Sequence, residues 1–157
     1  MTDLSIWQNA VFAEITAHIQ QRYHDTHRQQ FTDLIALSIK VHNAHEDEFP
    51  AQISTHLLAM QDELLNHMAK EERILFPMLN QGMGQAVSMP IRVMMQEHTG
   101  HNVAIAELLS MSQHLTAPEF ACNSWRALYE GLRVLVDDLN EHMTLENEIL
   151  FARALLA

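Results

Sequence analysis

The sequence has 157 residues, enough for one domain that buries a core without disulfides, and we predict a single domain over residues 1–157. Nine Lys and Arg against 20 Asp and Glu give a net charge of −11, which excludes a general affinity for nucleic acid or anionic membranes. A single cysteine, Cys122, excludes an internal disulfide, and the absence of a signal-peptide pattern or a membrane-length apolar run indicates a soluble intracellular protein.

Apolar residues recur at helical spacing along most of the chain, and Gly and Pro number only four each, which predicts an all-α fold. The pattern predicts four long helices: Leu4 to about His45, with a possible bend between His24 and Gln30; about Gln52 to Leu79; Ser88 to about His114; and Pro118 or Asn123 to about Leu155. Short loops between long helices are typical of an up-down-up-down four-helix bundle.

One stretch, HMxxExxILF, occurs twice, at residues 67–76 on the second helix and at residues 142–151 on the fourth. Residues four apart share one face of an α-helix, so His67 and Glu71 point the same way, as do His142 and Glu146. Each copy therefore presents one nitrogen and one oxygen ligand in one direction. The repeat predicts a site for transition-metal ions between the two helices.

The repeat extends further, because His24 and His98 precede the two copies at nearly equal distances. Two similar helical hairpins would then bring four imidazoles and two carboxylates to the bundle centre. Two metal ions, each bound by two His and both shared Glu, would keep room for a bridging oxide or hydroxide and an open position. Iron suits this thiolate-free donor set. The Glu-x-x-His spacing of ferritin-like di-iron enzymes does not occur.

A single His on a helix is more often a core or surface residue than a ligand, but the repeated constellation favours the metal site. Two alternatives stay open within it. His24-x-x-His27 and His98-x-x-His101 each place two histidines on one face, so spacing does not decide which member binds and which is an outer partner.

Three further residues are functional candidates outside the predicted ligand set. Glu63 and Glu97 would either orient a ligand and line an access path or be ordinary exposed glutamates. His45 would lie about 31 Å from His24 along a continuous helix, at about 1.5 Å per residue, and has no counterpart in the second half.

At these residues the sequence resembles the hemerythrin-like cation-binding domain, and more closely the iron–sulfur cluster repair di-iron proteins. The resemblance covers nearly the whole chain and rests on RYHDTHR at 22–28, HMAKEERILFPM at 67–78, EH at 97–98, ACNSWRALY at 121–129 and LENEILF at 145–151. It implies metal ligands at His24, His67, Glu71, His98, His142 and Glu146, with both Glu bridging. His45 also matches a His of the family and stays a candidate outside the ligand shell.

The resemblance implies a bacterial cytoplasmic protein that responds to nitric oxide and oxidative damage. Its two Fe ions, oxo- or hydroxo-bridged, would bind O₂ or NO and supply iron to damaged or apo iron–sulfur proteins. An O₂ or NO sensor or carrier, and an enzyme that reduces NO or peroxide, need the same ligands and remain alternatives. Full-length family members also carry a short N-terminal domain with a cysteine pair, whereas this chain begins with the first helix, either as a truncated form or as a stand-alone bundle.

Overall fold

The structure, a computed structural model, describes residues 2–157, which form four long helices and no β-strand. The helices are α1 over residues 12–44, α2 over residues 52–80, α3 at Ser88–Met111 and α4 over residues 123–156. Helix α1 packs against α2 and α4, and α2 packs against α3. The predicted all-α four-helix bundle is confirmed. Among the described residues, no helix combines the length and apolar character needed to cross a membrane.

Three of the four long helices contain a π-helical segment. The segments are Ile19–His24 in α1, Glu71–Leu75 in α2 and Leu145–Leu150 in α4. A π turn holds an extra residue, so it changes which side chains downstream face the core. Each segment contains one of the predicted ligands, His24, Glu71 or Glu146. The irregularity in the first helix therefore ends at His24 rather than lying between His24 and Gln30.

Two helix ends differ from the sequence prediction. Residues Leu4–Trp7 form a separate 3₁₀ turn, and α1 starts only at Phe12. The spacing of Leu4 and Trp7, three residues apart, fits a 3₁₀ turn as well as an α-helix. Helix α3 ends at Met111, because residues 113–115 have positive φ angles of 53° to 58° and cannot continue a right-handed helix.

Two clusters of buried apolar side chains fill the bundle, and each draws on all four long helices. Cluster 1 includes Phe31, Leu57, Leu108 and Trp125, and cluster 2 includes Ile15, Leu75, Ile91 and Phe151. Between them along each helix lies a layer of buried polar side chains: His24, His27, His67, Glu71, His98, His142 and Glu146. The four helices therefore hold the polar layer between two apolar cores.

Candidate metal centre

The structure brings all six predicted ligands together in the polar layer. None of the six side chains is more than 2% exposed. Their donor atoms form two groups, His24 with His142 and His67 with His98, and each group includes both Glu71 and Glu146; within a group the atoms lie within 4.8 Å of one another. Two donor groups that share both carboxylates would suit the two cations that the repeat predicts.

Each carboxylate lies between histidines of the two different groups. Oε1 of Glu71 is 3.1 Å from Nε2 of His24 and 3.5 Å from Nε2 of His67. The oxygens of Glu146 are 2.9 Å from Nε2 of His98 and 3.2 Å from Nε2 of His142. Both Glu side chains are thus placed to bridge two cations.

The buried polar atoms fit a metal cation. Among the described residues, eight buried side-chain nitrogen and oxygen atoms lack a hydrogen-bond partner, and six of them belong to this site: Nε2 of His67, His98 and His142, Oε2 of Glu71, and both oxygens of Glu146. Buried polar atoms without partners are costly, and a cation bound by these lone pairs would satisfy them. Imidazole and carboxylate donors without thiolate suit iron, manganese and zinc.

Each of the four imidazoles is held at its outer nitrogen, Nδ1, by a specific partner. The pairs are His24 with Glu72 at 2.6 Å, His67 with Glu97 at 2.9 Å, His98 with Asn147 at 2.8 Å and His142 with His27 at 3.1 Å. A neutral imidazole that donates its Nδ1–H outward keeps a free lone pair on Nε2, which here faces the centre. Each cation position therefore has one histidine backed by a carboxylate and one backed by a neutral group.

The outer carboxylates are themselves fixed by basic side chains. Arg28 lies 2.7 Å from Glu72, and Lys70 pairs with Glu97. For Glu97, burial is the largest single effect and acts to raise the pKa, but the hydrogen bonds and charges of Lys70 and His67 together outweigh it and lower the pKa. The carboxylate therefore stays ionised beside His67 at neutral pH.

Burial shifts the pKa values of the donor side chains. It lowers the pKa of His24 to about 3 and that of His67 to about 4, so both rings are neutral at pH 7 and able to bind a cation. Burial, and then the charge of Glu146, raise the pKa of Glu71 well above its usual value. Burial also acts to raise the pKa of Glu146, but contacts with His142 and His98 hold it well below its usual value. A cation bound between the carboxylates would favour the ionised form of Glu71 and so oppose this rise in its pKa.

The sequence profile of the hemerythrin HHE cation-binding domain matches residues 16–154. The chain belongs to the hemerythrin HHE family. It is 54% identical over 155 residues to the iron-sulfur cluster repair protein DnrN of Neisseria gonorrhoeae, covering 99% of each chain. It is also 43% identical over 151 residues to the iron-sulfur cluster repair proteins YtfE of Salmonella paratyphi B and Salmonella newport, covering 95% of this chain and 69% of theirs.

Within this hemerythrin domain, the structure separates the two members of each His-x-x-His pair. His24 and His98 contribute to the two donor groups. His27 instead hydrogen-bonds to His142, and the ring of His101 packs edge-on against His67 with centroids 4.8 Å apart. Both second members are outer partners of a predicted ligand.

The three further candidates have different positions in the domain. Glu97 contacts His67 directly and can orient it. Glu63 is exposed and lines a small pocket together with His101. His45 lies outside both donor groups, and its ring packs against Trp125 with centroids 5.0 Å apart, at the far end of cluster 1.

Sequence reasoning missed two outer partners, Glu72 and Asn147. Each directly follows a repeated glutamate, so the repeat places them at equivalent positions, and that equivalence was a usable signal. The two copies of the repeat end in Phe76 and Phe151, which lie beside the polar layer. Their rings stack on His24 and His98, with centroids 5.8 Å and 6.0 Å apart.

Proposed function

We propose that this protein repairs iron–sulfur clusters during nitrosative and oxidative stress by donating iron from a non-heme di-iron centre. We assign the iron ligands to His24, His67, Glu71, His98, His142 and Glu146. The observation that carries the proposal is the pair of buried donor groups that share both carboxylates. The names of the Neisseria and Salmonella relatives support the repair role.

We further propose a cytoplasmic location, with damaged or apo iron–sulfur proteins as partners and O₂ or NO as small ligands. Bound iron would supply redox chemistry and a coordination position open to a small gas. The protein's own residues hold the four Nε2 lone pairs inward and offset the cation charge with two carboxylates. Because this donor set has no thiolate, the cysteines of an apo-cluster protein, which are softer ligands that favour iron–sulfur clusters, can compete for the iron.

The first test is the metal content per chain together with the absorption spectrum, before and after NO is added to the reduced, oxygen-free protein. We expect two irons per chain, near-ultraviolet bands typical of an oxo bridge in the oxidised protein, and a new nitrosyl spectrum. One zinc per chain, or no metal in a folded protein that also fails to take up ferrous ions, would contradict the di-iron centre.

The second test follows the fate of the iron. The protein is loaded with ⁵⁷Fe and mixed with an apo iron–sulfur protein and sulfide, and the label in the rebuilt cluster is measured. A competing chelator is present in all samples. We expect the label to reach the cluster faster from the loaded protein than from the same amount of free ferrous ions. Iron that is retained through repeated cycles of gas binding would contradict donation and favour a sensor or carrier. Turnover of NO or peroxide with an electron donor, without iron loss, would favour an enzyme.

A further inference from the structure

His142 differs from the other three candidate ligands in the group that holds its Nδ1. The other three contact an oxygen of Glu72, Glu97 or Asn147, which accepts a hydrogen bond from any imidazole N–H. The partner of His142 is Nε2 of His27, at 3.1 Å, and this nitrogen accepts only when it carries no proton. The state of His142 therefore depends on the tautomer of a second buried histidine.

A chain of hydrogen bonds runs from His27 to the protein surface. Nδ1 of His27 is 3.1 Å from Oε1 of Gln30, and Nε2 of Gln30 is 2.8 Å from Oδ2 of Asp138. The other oxygen of Asp138 accepts from Arg22 at 2.9 Å. The side chain of Asp138 is 13% exposed, so the chain ends beside solvent.

The chemistry of this chain allows only one direction of proton donation. A carboxylate accepts and does not donate, so Asp138 requires the NH₂ group of the Gln30 amide. The amide oxygen of Gln30 then faces His27 and requires a proton on Nδ1. A neutral His27 with its proton on Nδ1 leaves Nε2 free to accept from Nδ1–H of His142, and the lone pair on Nε2 of His142 is then unprotonated.

The opposite tautomer would block the site. With its proton on Nε2, His27 would donate to Nδ1 of His142, and a neutral His142 would carry its own proton on Nε2. That atom lies 3.2 Å from Glu146 and belongs to a donor group. The proton would therefore occupy the position of the cation.

The equivalent pair of histidines, His101 and His67, lacks this arrangement. Nδ1 of His67 donates to Glu97, and the neighbouring His101 only packs edge-on against the ring. The ring of His142 is also stacked on Tyr23, with centroids 5.1 Å apart and planes 7° from parallel. The hydrogen-bond chain from His27 to Asp138 therefore affects only one of the two donor groups, the one that contains His142.

We propose that Gln30 and Asp138 are positioning residues that set the tautomer of His27 and, through it, keep Nε2 of His142 free to bind a cation. The cation-binding step rests on the proposed function, whereas the tautomer of His27 does not. The two steps are tested separately.

The tautomer is tested by two-bond ¹H–¹⁵N NMR of the histidine rings in the chelator-treated, metal-free protein. We expect His27 to be protonated on Nδ1 and bare on Nε2, although imidazole in water prefers the other tautomer. In Gln30→Leu the acceptor is lost, and we expect His27 to change to the Nε2–H form. A proton on Nε2 of His27 in the wild type, or an unchanged Nδ1–H in Gln30→Leu, would overturn the proposal.

Two further variants sharpen this experiment. In Asp138→Asn the side chain can donate as well as accept, so the Gln30 amide is no longer fixed, and we expect an increased Nε2–H population; an unchanged His27 would remove Asp138 from the role. Gln29→Leu is the matched control, because Gln29 is the adjacent, exposed glutamine and bonds only Asp33 in the described structure. If Gln30→Leu does not fold, Asp138→Asn tests the same proposal, because Asp138 lies at the surface end of the hydrogen-bond chain.

Cation binding is tested by loading the protein with zinc ions and following their dissociation into excess chelator. Gln30→Leu leaves His27 in place but, by changing its tautomer, ends its support of His142 as an outer partner. Loss of such a partner typically weakens metal binding 10- to 100-fold, so we expect one of two ions to dissociate about 10 to 100 times faster in Gln30→Leu and the other to be unaffected. Equal rates in Gln30→Leu and the wild type would contradict the cation step. If the wild type binds no zinc or iron while His27 shows the expected tautomer, the proposed function is contradicted. The roles of Gln30 and Asp138 in setting the tautomer of His27 are then still supported.

Discussion

Glu71 and Glu146 are the residues on which both donor groups depend. Each carboxylate contacts a histidine of each group, whereas each histidine belongs to one group only. Removal of a neutral imidazole takes away one donor. Removal of a glutamate takes away a negative charge that would face two buried cations, and uncompensated buried charge is much more costly than a missing neutral ligand.

We therefore expect Glu71→Ala and Glu146→Ala to lower bound metal well below two ions per chain, measured by elemental analysis of purified, folded protein. Glu148→Ala is the matched control, because Glu148 lies on the same helix as Glu146 but is exposed. The control should keep its metal. Full occupancy in either test variant would remove that glutamate from the ligand set.

His45→Ala should leave two metal ions bound, since His45 lies beside Trp125 and outside both donor groups. The lost packing should reduce stability by about 1 kcal/mol, an ordinary value for a partly buried side chain. Metal analysis and thermal unfolding measure the two effects. Loss of one ion would show that His45 acts on the site despite its distance from the polar layer.

The sequence could indicate which residues the structure brings together because the main signal is local. A His and a Glu four residues apart share a helix face whatever the rest of the chain does, and the repeat marks both copies. The choice between His24 and His27 is not local, because it depends on how α1 is rotated about its axis. That rotation follows from the π-helical segment Ile19–His24, which no residue spacing in the sequence indicates.

The π-helical segments connect the polar layer to cluster 2. Leu145–Leu150 contains Glu146 at its start and is followed directly by Phe151, which stacks on His98. The extra residue of a π turn sets the phase between these two side chains. Hydrophobic spacing predicted the helices and most of their ends, but it averages over whole turns and did not indicate these segments.

Deletion of Glu148 tests this view of α4, because it removes one exposed residue from the π-helical segment. A π turn holds one residue more than an α turn over nearly the same rotation, so the shortened segment should become α-helical with Phe151 still in cluster 2. We therefore expect a loss of no more than about 0.5–3 kcal/mol, ordinary for a single change, and retained metal. Urea unfolding and elemental analysis provide the measurements, with Glu148→Ala as the control that keeps chain length. A loss of about 3–5 kcal/mol, comparable to truncation of a buried Phe, would show instead that the deletion turns Phe151 away from cluster 2.

The molecule as a whole places a layer of buried ionisable groups between clusters 1 and 2. Burial lowers the pKa of His24, His27 and His101 to about 3 and that of His67 to about 4. In the unfolded chain each of these histidines would take up a proton near pH 6.5. The folded, metal-free protein is therefore sensitive to acid at a pH well above the usual pKa of an exposed carboxylate.

We expect the free energy of unfolding of the chelator-treated protein to fall between pH 6.5 and pH 4. In this range the unfolded chain binds more protons than the folded one, so acid favours unfolding by up to about 1.4 kcal/mol per pH unit for each histidine with a lowered pKa. The raised pKa values of Glu71 and His98 act in the opposite direction but involve fewer groups. Urea midpoints at pH 7.5 and pH 5.5 measure the change. Equal midpoints would contradict the expectation, and His27→Gln should show a smaller decrease than the wild type.

Clusters 1 and 2 each contain side chains from all four long helices, and neither cluster requires a metal ligand. Apolar packing therefore holds the four helices together on both sides of the polar layer without a bound ion. During biosynthesis, the polypeptide can complete its tertiary structure first and take up the proposed metal ions afterwards. The circular dichroism of a preparation would then report little about its metal content, and the fraction of loaded molecules would follow the supply of the metal during growth.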